Sequence, residues 1–295
     1  MLRVLGQVLQ YVGFPGAFPV LAAVSGEAFR VQGPVCAARP SAREWDLRAT
    51  LAATGFARAQ VLSAAEGLAS EKILQLVAEE TAADRPTVLG GWAPAEPGWA
   101  LLAGCASGGL VCGYGPNNAP GDPYVAAPAQ GRCLIALGLG EPVAPETLLA
   151  VATASARVCW EHDWPGCAGV YRTWLHLLSE EVEPAAPVAG EAAAALAALV
   201  ESRTAARDFL EGQVEELLEP EAAGAERAAG LYGQLLDLLE PLSVALGAPG
   251  GEILWGHAEW RAEHYARLEE IAELDAEAVN CLRRGGEAEY EPEEV

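Results

Sequence analysis

Cys159, His162, Cys167 and His176 bring two thiols and two imidazoles within eighteen residues, and such groups hold zinc when four of them converge tetrahedrally. Their order, C-x2-H-x4-C-x8-H, departs from finger spacings. Helical patterns on both sides of Asp163-Trp164-Pro165-Gly166 also spread the side chains over different faces. Buried thiols and helix-face histidines are therefore expected, and no metal or cofactor is assigned. His257 and His264, with Glu259 and Glu263 beside them, lack the His-Glu-x-x-His spacing and lie two helical turns apart, which reads as a solvated face. Cys36, on the loop Gly33-Pro34-Val35-Cys36, is the candidate reactive thiol. A thiol acts as a nucleophile when a base or a positive field makes it thiolate, and residues 1–161 contain no histidine. Trp92 and Trp99 flank the turn Ala93-Pro94-Ala95-Glu96-Pro97 and can wall an apolar cleft with Glu27, Phe29 and Arg30, the kind of surface that takes small ligands. The same residues also read as packing, with both tryptophans capping a sheet core and Glu27 pairing with Arg30. Gly113-x-Gly115 opens no helix and has no third glycine, so neither a dinucleotide fold nor a phosphate loop is expected.

The elements that must position these residues centre on 84–115. Segments 86–92, 99–105 and 110–114 read as strands separated by turn signals. The small and apolar residues between Trp99 and Val111 suit a sheet covered on both faces. That places Cys105, Cys112 and Cys133 in the packing of core strands. Before the sheet, 2–12 reads as a helix, 18–24 as a short apolar segment, the second half of 25–32 as strand-like, 41–55 as a helix, 57–62 as a strand and 68–83 as a helix. In this last helix Ile73, Leu74, Leu76 and Val77 face inward. After the sheet come a loop at 115–123, a last strand at 133–137, and helices at 144–161 and 168–180. A linker or crossover is expected at 181–190.

Beyond it the chain is entirely helical. Leu231, Leu235, Leu238, Leu242 and Leu246 form one apolar stripe. Trp255, Ala258, Ala262, Tyr265, Leu268, Ala272 and Leu282 form another beneath a Glu/Arg-rich outer face. With Leu196, Val200, Phe209, Val214 and Leu217 they indicate three long antiparallel helices, and the acidic tail 285–295 reads as flexible.

The 295 residues carry 18 Lys+Arg against 41 Asp+Glu, a formal charge of −23. That field repels phosphate backbones and anionic lipid, so neither nucleic acid nor membrane is an expected partner. An apolar fraction of 52% is ample for a core. No secretory signal or transmembrane run is read, and the seven cysteines, odd in number and without framework spacing, point to a reducing, cytoplasmic setting.

Several short motifs follow a familiar order. They are Leu9-Gln10-Tyr11-Val12-Gly13, Ser25-Gly26-Glu27-Ala28-Phe29-Arg30, Cys36 with Pro40-Ser41 ahead of Trp45, Gly104 with Gly113-Tyr114-Gly115, and Gly169-Val170-Tyr171-Arg172-Thr173-Trp174-Leu175. Together they resemble a bacterial group of papain-like proteins related to the N-terminal domain of the butirosin-biosynthesis protein H and, more distantly, to bacteriocin-processing C39 peptidases. The resemblance implies an α+β fold, a papain-like antiparallel sheet with flanking helices over 1–182, followed by a helical subdomain over 183–284. It places a catalytic Cys at the start of the first helix, where 1–12 has none. It places a His where Trp99 stands, and an orienting Asn or Asp at Asn117, Asn118 or Asp122. The Gly-X-Ala-Phe motif of the group usually carries His or a similar residue at X, where this chain has Glu27.

With two of three triad positions empty, no catalytic residue is assigned. The expectation is a non-catalytic papain-like protein that binds a small molecule, a peptide or a protein. One alternative is an acyl-transfer or amide-forming cysteine enzyme of secondary metabolism, as the butirosin relative implies. The other is an assembly protein that forms homodimers or larger homo-oligomers through its helical half.

Overall fold

A computed structural model of the chain describes residues 17–31, 54, 58–63, 66–92, 99–114, 124–138, 143–161, 166–179, 186–217 and 221–284. The readings at 2–12, Cys36, 41–55 (Thr54 apart), Asn117, Asn118, Asp122 and 285–295 lie outside the described residues. The protein is α+β. Two compact units divide the described residues: one holds 17–21 and, between 54 and 143, all the strands and a helix, while the other holds 22–31 and everything from 144 onward. In the described structure the helices read at 144–161 and 168–180 pack with the long helices, and the division between the units follows Val143. Among the described residues no helix is long and apolar enough to cross a membrane.

The first unit is a six-stranded sheet of β1 (Arg58–Ser63), β2 (Thr87–Gly90), β3 (Trp99–Ala106), β4 (Leu110–Tyr114), β5 (Val125–Pro128) and β6 (Cys133–Gly138), in the order β1-β6-β2-β3-β4-β5. Every neighbouring pair is antiparallel. Helix α2 (Ser70–Ala82) lies on one face. Its Ile73, Leu76 and Val77 meet Leu89, Trp92, Ala100, Leu102, Val111, Leu134 and Ala136 in a continuous core, with Leu74 packed beside them. Each fully buried Leu or Ile there stabilises the fold by about 1.5–3 kcal/mol relative to exposure.

Two expectations for the sheet are corrected. Only its centre is covered on both faces: β2 is buried throughout, as is β6 from Leu134 to Leu137, whereas β3 alternates in burial. Strand β5 was not read from the sequence. It is a four-residue edge strand ending in Pro128, and proline, lacking an N–H, is tolerated at an edge. A register shift between Leu102 and Gly104 bulges β3, and Cys105 beyond it is exposed rather than packed. Cys112 is buried and Cys133 half-buried.

Helix α1 (Ala17–Val24), which forms over the apolar segment read at 18–24, leads into a 3-10 turn of the second unit, Glu27–Phe29. The strand-like reading of the second half of 25–32 is met in part: Phe29 belongs to the 3-10 turn, and extended backbone begins at Arg30. Helices α3 (Pro145–Glu161), α4 (Gly166–Leu178), α5 (Ala186–Val214), α6 (Glu221–Gly247) and α7 (Ala258–Arg284) follow. Helix α5 takes in the second half of the expected linker 181–190, with Pro187 in the first turn, where its missing N–H has no intrahelical partner to lose. In α6 the buried residues Ala225, Ala228, Tyr232, Leu235, Leu239, Leu242 and Leu246 advance by alternating steps of three and four. In α5 the run is Ala192, Leu196, Leu199, Arg203, Ala206 and Leu210. Such spacing is the seam of helices packed at a shallow angle. Arg227 of α6 pairs with Glu277 of α7 at 2.8 Å, joining the start of one helix to the end of the next, so these neighbours run antiparallel.

The seam of α7 corrects the sequence reading. Its buried residues are Arg261, His264, Leu268, Ile271, Asp275, Ala278, Val279 and Leu282, while Ala258 and Ala262 are exposed. Three polar side chains occupy the inward phase, so an apolar count shifts the stripe onto the alanines beside them.

Candidate functional site

The motif Ser25–Arg30 that carries the resemblance is held from beneath by a fully buried ion pair. The guanidinium of Arg203 donates through Nε to Asp275 Oδ1 at 2.9 Å and through Nη2 to Oδ2 at 2.5 Å. Tyr171 donates its hydroxyl to the same Oδ2 at 2.8 Å. Arg203 also donates to backbone: Nη1 reaches Ala28 O at 2.7 Å and Arg30 O at 3.3 Å, besides Ser202 Oγ at 3.4 Å, and Nη2 reaches Phe29 O at 3.3 Å. Three successive carbonyls at the end of the 3-10 turn are thereby satisfied by one side chain from α5, the accounting that a buried turn requires. Burial works against the charge on Arg203, but Asp275, with Tyr171 and Tyr232 nearby, holds its pKa above the ordinary arginine value. The guanidinium also lies over the Tyr232 ring at 5.9 Å.

The front of the turn carries Glu27 and Arg30, paired at 2.7 Å with side chains 29% and 20% exposed. From α3, Ser155 donates to Val24 O at 2.9 Å and Cys159 donates its thiol to Gly26 O at 3.3 Å. Gly26 sits at φ 83, and a Cβ there would stand 3.0 Å from the Cys159 sulfur, so both backbone and space demand glycine.

The five cleft residues fall into the two units. Glu27, Phe29 and Arg30 belong to the turn just described, with Phe29 buried. Trp92 and Trp99 belong to the sheet unit. Trp92 is buried in its core and donates Nε1 to Pro128 O at 3.3 Å. Trp99 lies opposite Gly90 in the β2–β3 register, and its ring fills the space a side chain at Gly90 would need, 2.8 Å from an added Cβ. At the position where the resemblance places an imidazole, this chain has a packing residue.

The remaining thiols and imidazoles are distributed as follows. Burial pushes the Cys133 thiol above its ordinary value, and burial, with Cys112 nearby, does the same for Cys105. His176 and His257 are exposed. The solvated-face reading of His264 is corrected: it is buried, stacks on Trp260 with ring centroids 4.0 Å apart, and its Nδ1 lies 2.7 Å from Trp260 O. His162 and the side chain of Cys167 lie outside the described residues.

A groove of about 250 Å³ opens in the sheet unit where α2 ends. Strand β3 outruns β2, whose last partner is Leu102, and the gap is bordered by Thr81, Asp84, Arg85, Pro86, Leu101, Ala103 and Tyr114. Arg85 grips the Glu80 carboxylate with two hydrogen bonds, Nε to Oε2 at 2.5 Å and Nη2 to Oε1 at 2.8 Å. That grip lowers the Glu80 pKa and raises that of Arg85. Sequence reading missed this groove. Its one local signal, Asp84-Arg85-Pro86, is also an ordinary helix-ending sequence.

No family model, curated protein or solved structure matches this chain.

Proposed function

We propose that this chain is a non-catalytic protein of papain-like descent that binds a small ligand. The observation that carries this reading is Trp99, which packs its ring against Gly90 where a papain-like enzyme needs its base. The thiols support it: burial raises the pKa of Cys105 and Cys133, opposite to what a nucleophile requires, and Cys159 is engaged with a backbone carbonyl. The groove at the end of α2, lined by apolar and charged side chains, is at about 250 Å³ smaller than sites for drug-sized ligands, which limits any occupant to a small molecule. The test is a turnover assay on peptide and ester substrates with the full chain and with Cys36→Ala. Equal, background-level rates are expected; turnover that disappears in the variant would establish a cysteine enzyme instead.

A further inference from the structure

The geometry points to the groove at the C-terminal end of α2 as a site for a small organic cation, an amine on an apolar or aromatic body, with Asp84 as its counter-ion. This rests on the binding reading above and names its ligand class. The charges in the groove leave a net negative site. Arg85 is neutralised by the two-point grip on Glu80, whereas Asp84 is exposed at the groove border. The negative end of the α2 dipole lies at the same place. Leu101 and Tyr114 supply an apolar wall and an aromatic ring on which a cation can sit. The chain's −23 charge favours approach of cations over anions.

The backbone fixes where Asp84 stands. Helix α2 ends with Asp84 N–H donating to Thr81 O at 3.1 Å and Arg85 N–H to Glu80 O at 2.9 Å. That pattern places Asp84 at the position normally taken by glycine, and its φ of 52 is the only positive value among the described non-glycine residues. Glycine would cap this helix with less strain. Aspartate is among the few non-glycine residues that adopt this conformation readily, so the helix ends here with a carboxylate at the groove border.

The experiment is ligand-observed saturation-transfer NMR on the full chain, titrating benzylammonium, benzyl alcohol and benzoate at near-physiological salt. Wild type is compared with Asp84→Asn, Asp84→Gly and the control Glu259→Gln, an exposed carboxylate on α7. Benzylammonium is expected to bind best. Asp84→Asn and Asp84→Gly should weaken it by roughly 10-fold or more, while Asp84→Gly melts at or above the wild-type temperature and Glu259→Gln binds normally. Equal binding of the three probes, or preference for benzoate, overturns the cation assignment and leaves the binding reading standing. An equal loss in Glu259→Gln assigns the effect to the general field and overturns the site. If no probe binds, the site is overturned. The binding reading is then decided by native mass spectrometry of the protein as purified from cells: a retained non-covalent mass upholds it, and a bare mass counts against it.

Discussion

The sheet unit and the helical unit solve the problem of a unique core in opposite ways. In the sheet unit the core around α2 is apolar, and register comes from strand alternation, the β3 bulge and the fit of Trp99 over Gly90. In the helical unit the seams are periodic enough to slide by a heptad, and buried polar residues mark the register: Arg203 on α5 and Arg261, His264 and Asp275 on α7. A buried ion pair is weak as a source of stability but effective in specifying one arrangement, since any other leaves a charge unpaired. Here the pair also fixes the Ser25–Arg30 turn, so the Arg203–Asp275 link between α5 and α7 determines how that turn is held.

The largest effect that tests this contrast is Arg203→Ala. It removes the counter-ion of Asp275 and the guanidinium that donates to the carbonyls of Ala28, Phe29 and Arg30. A loss of about 3–5 kcal/mol is expected in urea unfolding followed by circular dichroism. Arg203→Met with Asp275→Leu should cost less than either single change, because no charge is then stranded; additive losses would show that the two do not act as a pair.

Leu134→Ala, in the fully buried sheet core, should cost about 2–5 kcal/mol, and no second substitution at a polar partner should rescue it. Gly90→Ala should cost about 1–3 kcal/mol as Trp99 is pushed from its seat, visible as a shift in tryptophan emission. Trp99→Ala in the same background should relieve that clash.

The smallest effect concerns the Glu80–Arg85 pair. The folded-state pKa of Glu80 lies below its ordinary 4.5, so its contribution is fully present above that value and fades as pH falls through the folded pKa. Glu80→Gln should therefore be slightly less stable than wild type at neutral pH, with the gap closing in acid. Arg85 is largely exposed, which keeps the effect small. A gap that widens in acid would contradict the assignment.

Much of the sheet was legible because strand alternation and turn residues are local signals: β3, β4 and β6 lie within one residue of their expected ends. β2 stops two residues short, where Gly91 turns left-handed. β5 escaped because Val125–Pro128 is too short to alternate visibly. The bulge that exposes Cys105 depends on pairing between strands, which no single segment reveals. In the helices, length and existence were legible but phase was not wherever charge is buried. Asp275 reads as surface until Arg203, 72 residues earlier, is known to face it. The Glu27–Arg30 pair was readable from its spacing, whereas the groove needed α2, β3 and β4 assembled before Asp84 and Tyr114 could share a wall.

The proposal that this chain does not work as a cysteine enzyme is tested most directly by the rate of thiol alkylation. Native protein is treated with iodoacetamide across a pH series, each cysteine is followed by peptide mass mapping, and rates are compared with those of the denatured chain. The account expects every native cysteine, Cys36 included, to react no faster than its denatured counterpart at neutral pH. A single cysteine reacting far faster, with a rate that persists well below pH 7, would reveal a stabilised thiolate and contradict it.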